Sequence, residues 1–583
     1  MPRNLHVPLE NAEVARIFRE IADLLEIEGA NPFRVRAYRT AARTVEEWPE
    51  SVADLVRQDS KKLQELPGIG ADLAGKIEEI VRTGTHSLLS ELGQQIPPGV
   101  AELLRVPGIG PKRARALYEA LGIRTLAQLE DAARKGKIRE LPGWGAKTEQ
   151  KILRELESRR PGPERFLRGT AAPYVEALLE YVRGIDGVKR AEVAGSYRRC
   201  RETVGDIDIL VAIRKGSPAI ERFVAYPEVE EVVARGPTKA TVRLRAGLQA
   251  DIRVLPEVSY GAGLHYFTGS QAHNIAIRRL GQQRGLKINE YGIFRNGKRV
   301  GGRTEEEVFR AVGLPWIPPE LRENRGEIEA AREGSLPTDL VELADIRGDL
   351  QAHTTDSDGR ENLEAMARAA EALGYEYLAV TDHTPAVRVA GGLDRAGFRR
   401  QMKRIDRLNS RLEKLTLLKG AEVDILPDGS LDLDDDTLAA LDVVIVAIHS
   451  KFELSARDQT RRIVRALQHP AVDILAHPSA RILNRRRGID VDMEEVIRAA
   501  ADHGVLLELN AQPDRLDLDD LDCRAAVEQG VRLAINTDAH STAELRYMRW
   551  GVDQARRGWV EKKHVANTRP LKSLLRLLHR GRR

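Results

Sequence analysis

The stretch GSYRRCRETVGDIDILV (195–211) sets two carboxylates, Asp206 and Asp208, in alternation with Ile207, Ile209 and Val211. That alternation predicts a strand, and residues at i and i+2 of a strand point to one face, about 6–7 Å apart. Unpaired carboxylates at this spacing repel and raise each other's pKa. A Mg²⁺ or Mn²⁺ ion, which takes hard oxygen ligands and keeps positions open for phosphate oxygens, removes the conflict. Just upstream, Gly195-Ser196 makes a tight turn whose N–H groups and hydroxyl can face phosphate, and Arg198, Arg199 and Arg201 add planar donors. A third acid, Asp251, lies in another short apolar run, QADIRVLP. Three such acids can hold two cations about 3.5–4 Å apart, an arrangement that clamps both oxygens of an in-line phosphoryl displacement. The chemistry this predicts is nucleotidyl transfer.

The elements ahead of these acids carry a repeat. LPGIGADLAGKIEEI (66–80), VPGIGPKRARALYEA (106–120) and LPGWGAKTEQKILRE (141–155) each place Pro-Gly, an apolar or aromatic residue and Gly before an amphipathic helix. Gly68, Gly70, Gly108 and Gly110 permit tight turns that aim backbone N–H groups and a helix N-terminus outward, where a phosphate fits. Lys112, Arg113 and Arg115 add positive charge. These look like helix-hairpin-helix elements, which grip the DNA backbone without reading bases.

The C-terminal half alternates apolar runs (YLAVTD, VVIVAIHS, VDILAHP, VLLELN, VRLAINTDAH) with amphipathic helical segments, which predicts a parallel α/β barrel. Several runs end in metal-type residues: His383 after Asp382, His449, His477, and Asp538 with His540; HTTDSDG adds His353 and Asp358, and KGAEVDIL adds Glu422. In barrels the C-terminal strand ends hold the active site, so residues far apart in sequence should converge.

A chain of 583 residues is too long for one core and suggests about three to five domains. With 42% hydrophobic and 31% charged residues it has the composition of a water-soluble protein, and a net charge of +4 does not by itself signal nucleic-acid binding. Its two cysteines, Cys200 and Cys523, lie far apart, which points to a reducing compartment and excludes a cysteine-cage zinc site. Residues 1–10 lack an apolar signal region and no run of about 18 apolar residues occurs, so the expected location is cytoplasmic, without a membrane partner.

Taken with ADIRVLP, LHYFTGS and NEYGI, the 195–211 stretch resembles the palm and thumb of a family X DNA polymerase, the DNA polymerase beta family. The resemblance implies that Asp206 and Asp208 bind both metals and that Asp251 binds the catalytic metal and helps deprotonate the primer 3′-hydroxyl. It implies that Gly195, Ser196, Arg199 and Gly205 hold the incoming triphosphate. Tyr266, Phe267 and Gly269 match the sugar-checking corner, Asn274 the minor-groove contact to the incoming base, Arg278 a template contact, and Arg253 an arginine coupled to domain closure. Lys76 aligns with the Schiff-base lysine of the family's 5′-deoxyribose-phosphate lyase domain. Asp72 and Thr40 replace lysines there, and a negative charge opposes 5′-phosphate binding.

The C-terminal half resembles the polymerase-and-histidinol-phosphatase (PHP) domain, a distorted seven-stranded barrel with a three-metal phosphoesterase centre. His353, Asp358, His383, Glu422, His449, His477, Asp538 and His540 match ligand positions. Gln351 departs from the usual His, and its neutral carbonyl oxygen is a weaker ligand for Zn²⁺ but tolerable for Mn²⁺. His469 and His503 match no ligand position. Expected boundaries are a lyase-like helical domain at 1–90, a helix-hairpin-helix subdomain at 91–160, an α+β palm at 161–258, a thumb at 259–318, a linker at 319–345 and the barrel at 346–583. Fused in this way, the two resemblances imply a monomeric bacterial repair enzyme that takes dNTPs and gapped or primer–template DNA and fills short gaps. The palm would use Mg²⁺ or Mn²⁺; the barrel, with Mn²⁺ or Zn²⁺, would trim 3′ ends and, in some members, cut at abasic sites. The residues alone also admit a PHP-type phosphatase with a DNA-binding N-terminal half, or a DNA-end scaffold with weak catalysis.

Overall fold

The computed structural model describes residues 11–47, 52–66, 68–83, 85–95, 100, 103, 106, 109–141, 143–145, 148–150, 152–153 and 165–578. The chain forms two compact units, Met1–Glu164 and Arg165–Arg583.

The first unit is helical. In helix Asn11–Glu28, Val14, Ile17, Phe18, Ile21 and Leu25 recur at helical spacing and are buried. Phe18 meets Tyr38 of helix Pro32–Glu47 edge to face at 5.7 Å. The same core continues through Ile77, Leu117 and Leu129 to Trp144 and Ile152, so the two subdomains expected on either side of residue 90 share one apolar interior. Gly68, at φ +77°, turns the chain before helix Ala71–Thr83. Gly110 caps helix Pro111–Leu121, with Pro111 at its first position. Gly108 lies outside the described residues.

The second unit begins with a two-stranded sheet of β1 (Phe166–Leu167) and β3 (Thr203–Val204). Beside it stands a five-stranded sheet made of β2 (Val188–Val193), β4 (Asp206–Ile213), β5 (Val229–Arg235), β6 (Lys239–Leu244) and β7 (Gln249–Leu255), in the order β2-β4-β7-β6-β5. Only the central β4–β7 pair is parallel. Ile207, Ile209 and Val211 pack with Val175, Leu178 and Val182 of helix Arg168–Arg183, which leaves Asp206 and Asp208 on the other face, as the alternation predicts. Helices Tyr260–Thr268 and Gln271–Gln283 and a small sheet of β8 (Lys287–Asn289), β9 (Gly292–Arg295) and β10 (Lys298–Gly301) follow.

The barrel strands are β11 (Gly348–Ala352), β12 (Tyr377–Val380), β13 (Thr416–Asp424), β14 (Val443–Ala447), β15 (Ile474–Leu475), β16 (Leu506–Asn510) and β17 (Leu533–Asn536). All seven are parallel and in sequence order, and the His353 N–H bonds to Ala539 O at 2.8 Å where the first and last strands meet. One side of the sheet packs on the surrounding helices. The other holds Leu418, Ile445, Ile474, Leu506 and Ala534, with Leu574 and Leu578 of the C-terminal helix Leu571–Leu578 inserted among them. Palm and barrel pack directly: Trp550 lies against Ala172 and Leu516, and Arg168 pairs with Asp553 at 2.6 Å.

The stretch 319–345 is not the loose connector that its Pro, Gly and charge content predicts. Leu321, Ile328, Ala331 and Leu340 join the thumb core with Ile277 and Phe309. Its charges are buried because they have partners: Glu327 takes His273 at 2.7 Å, and Arg322, fully buried, takes Glu305 at 2.5 Å. Glu305 also receives a two-pronged pair of 2.8 Å hydrogen bonds from Arg198. Burial alone would raise the Glu305 pKa, but Arg322 and Arg198 outweigh it and hold the carboxyl well below the usual carboxylate range. A depressed folded-state pKa contributes stability that is complete above the unfolded value of about 4.3 and fades as pH falls through the folded one. Arg322→Ala is therefore expected to cost about 3–5 kcal/mol, read as a lower unfolding midpoint in denaturant. Glu305→Gln should flatten the acid-side loss of stability; a pH profile that superimposes on that of the parent chain would contradict this account.

Candidate metal centres

In the palm, the parallel register sets Asp208 of β4 opposite Asp251 of β7. Ligand oxygens of Asp206, Asp208 and Asp251 all lie within 4.8 Å of one another. Burial, then the charges of Asp206 and Asp251, push the Asp208 carboxyl up to about 7. Burial and Asp251 raise Asp206 likewise. This hard-oxygen donor set, unfavourable when bare, fits Mg²⁺ or Mn²⁺. Thr241 Oγ1 and Gln249 Nε2 donate to Asp251 at 2.5 and 2.9 Å, and Lys239 Nζ stands 3.6 Å away. Sequence reading missed this trio, although Thr241 and Lys239 share the strand next to β7.

The acids divide two clefts. One, about 770 Å³, is lined by Gly195, Ser196, Arg199, Tyr266, Phe267, Gly269, Asn274 and Arg278; the other, about 290 Å³, holds Asp251, Lys239 and Arg253; Asp206 and Asp208 line both. Gly205 is not in either lining; a Cβ there would meet Arg165 Nη1 at 3.4 Å. Gly195, at φ +61°, sits so close that a Cβ would lie 2.1 Å from Asp208 Oδ2, so only glycine brings the turn against the acids. Tyr266 and Phe267 meet edge to face at 5.2 Å, Arg253 lies 4.7 Å over Phe267, and Asn274 Nδ2 donates to Tyr266 O at 2.7 Å.

Of the arginines of the turn, Arg199 and Arg201 line the cleft and Arg198 does not. Arg198 is committed to Glu305 and Thr268 Oγ1, so it is not a free phosphate donor. Arg199 faces the cleft but also donates to Glu323 Oε1 at 3.1 Å and Thr268 O at 2.5 Å. Arg201 lies 3.5 Å from Glu323. Their partners sit in the thumb and in the segment read as a linker, beyond the reach of local pattern.

In the barrel, all of the expected ligands except His477 fall into three overlapping groups: His353, Asp358, His383 and His540; His383, Glu422 and His449; His353, Glu422 and Asp538. His477 Nε2 reaches Glu422 Oε1 at 2.8 Å. Glu422 Oε2 is 3.3 Å from His353 Nε2 and 3.4 Å from His383 Nδ1, and Asp358 is 3.5 Å from both His383 and His540. With metal–ligand bonds near 2.0–2.2 Å, neighbouring donors of a tetrahedral site stand about 3.3–3.6 Å apart, so the spacing fits shared cations. Orphaned polar atoms fit too: His353, His383, His477 and Gln351 each bury a ring nitrogen or amide oxygen without a hydrogen-bond partner. Burial opposes charge throughout, yet His383 and His449 hold Glu422 far below the usual range, while Asp538 and Glu422 hold His353 well above its own.

Inward-facing residues change character along single strands, from Leu418 to Glu422 and Asp424, Leu506 to Glu508 and Asn510, and Ala534 to Asn536 and Asp538. Asp424, Glu508, Asn510 and Asn536 were missed, although each shares its strand's inward parity. Asp424 accepts from His449 Nδ1 at 3.1 Å, which leaves Nε2 toward Glu422. Asn510 Nδ2 donates to Asp538 Oδ2 at 3.0 Å. Gln351 is buried at the same centre, its Nε2 3.4 Å from Asp538 Oδ1. Gln351→His is expected to raise Zn²⁺ retention about tenfold or more, measured by competition with a chelator; unchanged retention would mean that position 351 does not meet a metal.

In the helical unit, Lys76 is paired with Asp72 and lies 5.7 Å over the Tyr38 ring. Gly70 and Lys112 are exposed at the starts of their helices.

A palm with an acid triad, a thumb and a parallel barrel with a histidine–carboxylate mouth define a nucleotidyltransferase core joined to a metallophosphoesterase-type barrel. Family models agree along the chain: a helix-hairpin-helix domain over 9–86, a helix-hairpin-helix tandem over 100–158, DNA polymerase beta palm over 168–251, DNA polymerase beta thumb over 263–323 and PHP domain over 349–512. The chain is 38% identical to the DNA polymerase/3′-5′ exonuclease PolX of Bacillus subtilis (strain 168), over 98% of this chain and all of that protein. DNA polymerase lambda of Arabidopsis thaliana is 27% identical over 54% of this chain and 62% of its own length. A probable phosphatase of Thermoanaerobacter sp. (strain X514) is 29% identical over 38% of this chain and 89% of its own length. The chain belongs to the PolX family, the family X DNA polymerases that carry a PHP domain. No described helix is long and apolar enough to cross a membrane.

Proposed function

We propose that the chain is a DNA-directed DNA polymerase that fills short gaps during repair and, through its barrel, a 3′→5′ exonuclease. The observation that carries this reading is the pair of metal-type centres in one compact unit: an all-oxygen triad beside a cleft and a histidine–carboxylate barrel mouth.

In the palm, Asp206 and Asp208 would hold two cations and Asp251 one of them. Gly195, Ser196, Gly205 and Arg199 would seat the triphosphate. Asp251, oriented by Thr241 and Gln249, would take the proton of the primer 3′-hydroxyl. The 3′-oxygen then bonds to the α-phosphorus, the α–β bridging bond breaks, and pyrophosphate leaves. Tyr266, Phe267 and Gly269 border the sugar, Asn274 the base edge, and Arg278 the template. In the barrel, His353, Asp358, His383, Glu422, His449, His477, Asp538 and His540, with Gln351 beside them, would hold the cations; water attacks the terminal phosphodiester and the P–O3′ bond breaks. When bound, Mg²⁺ or Mn²⁺ in the palm and Mn²⁺ or Zn²⁺ in the barrel supply charge neutralisation at the phosphoryl oxygens and lower the pKa of the attacking group.

A 5′-labelled primer in gapped duplex with Mn²⁺ tests the reading. It should lengthen to the end of the gap with dNTPs and shorten from its 3′ end without them. Release of phosphate from 3′-phosphorylated ends with neither lengthening nor shortening would replace it with a phosphatase.

A further inference from the structure

Both metal centres lie in the second unit, and the segment that leaves His477 touches the border of each. Ala480 N–H donates to His477 O at 2.8 Å and turns the chain out of the barrel mouth into RILNRRRG (481–488). On the barrel side, the Arg486 guanidinium lies 4.3 Å over the ring of Phe452, just beyond His449, and donates to Ala480 O at 2.8 Å. On the palm side, Asn484 Nδ2 donates at 2.6 Å to the carbonyl of Arg165, a residue that lines the palm cleft with Ser196 and Asp206. Arg481 pairs with Glu202, and Leu483 N–H donates to Asp514 O at 2.7 Å, so the loop is pinned from both sides.

What the pinning presents is bare positive charge. Arg485 and Arg487 are exposed and have no ion pair among the described residues, and Arg515 continues the row into the mouth, its Nε 3.9 Å from Asp538 Oδ2. Like charges held together on a fixed backbone favour an extended polyanion. Among the barrel ligands it leads to, His353 and Glu422 are buried, at 0% and 1% exposure, so the centre they serve admits a single strand end and not a paired duplex.

Building on the polymerase-and-exonuclease reading, we propose that loop 481–488 is the track for the 3′-terminal single-stranded segment of a DNA strand passing from palm to barrel, with Arg485 and Arg487 gripping its phosphates. The test uses the full chain with Arg485→Ala and Arg487→Ala combined. Binding of a labelled single-stranded oligonucleotide is followed by anisotropy with divalent ions chelated. Loss of two phosphate contacts should reduce the slope of log K against log salt by about 1.4. In Mn²⁺, KM for shortening an unpaired 3′ end should rise about tenfold while kcat is kept, because the phosphate grip acts on binding. The Arg→Lys pair should restore the slope, since lysine keeps the point charge. An unchanged slope, or kcat falling with KM unchanged, overturns the proposal. If the parent chain neither extends nor shortens DNA, the functional reading fails, and the salt slope still decides whether the loop binds a strand. Both side chains are exposed and unpaired, so the unfolding midpoint should not move.

Discussion

Asp208→Asn is expected to reduce primer extension by about 10³-fold or more, roughly 4 kcal/mol of lost barrier lowering, while shortening of 3′ ends persists. The substitution keeps the shape of the side chain and removes the anionic oxygen that a cation requires. A second expectation separates a functional loss from a structural one. Without divalent ions, burial first and then repulsion from Asp206 and Asp251 push the Asp208 carboxyl up to about 7. Asparagine relieves that repulsion, so in chelator the variant should unfold at a higher temperature than the parent chain. Extension lost together with a lowered melting temperature would mean that Asp208 serves the fold.

Glu422→Gln should have the opposite stability signature and the opposite activity pattern. Glu422 meets four histidines, His353, His383, His449 and His477, at 2.8 to 3.4 Å. Its charge is held by His383, His449 and His353, and removing one member of a buried charge-paired cluster costs about 3–5 kcal/mol. Shortening of 3′ ends should fall about 10³-fold, because two of the three candidate metal groups contain Glu422, whereas gap filling continues. The assay is the same gapped primer run with and without dNTPs. Equal loss of both activities would show that the two centres are not independent.

The contrast between these variants has a physical root. The palm triad gathers like charges alone, whereas the barrel sets histidines beside Glu422 and Asp538. Palm acids are few, adjacent on paired strands and half-buried; barrel ligands are many, with His353, His383, Glu422, His477 and Asp538 buried, His449 and His540 part-buried and Asp358 exposed.

Local chemistry was legible from order alone. The alternation in DIDILV dictated that both carboxylates share a face, glycine at 195 dictated a close turn, and repeated histidines at the ends of apolar runs dictated a ligand-bearing barrel mouth. Each follows from a fixed backbone period, which needs no partner. Packing decided the rest. Arg198 finds Glu305, Arg199 finds Glu323, and the supposed linker becomes core, because a buried charge is held by whichever opposite charge the fold brings to it. Asp424, Glu508 and Asn510 had a signal in their strand parity, but which parity faces inward depends on where the helices pack. Sequence by itself thus determined the kinds of ligand and their local directions. Only the tertiary structure decided which of them meet, since convergence across hundreds of residues is set by sheet register and barrel closure, and no period along the chain encodes it.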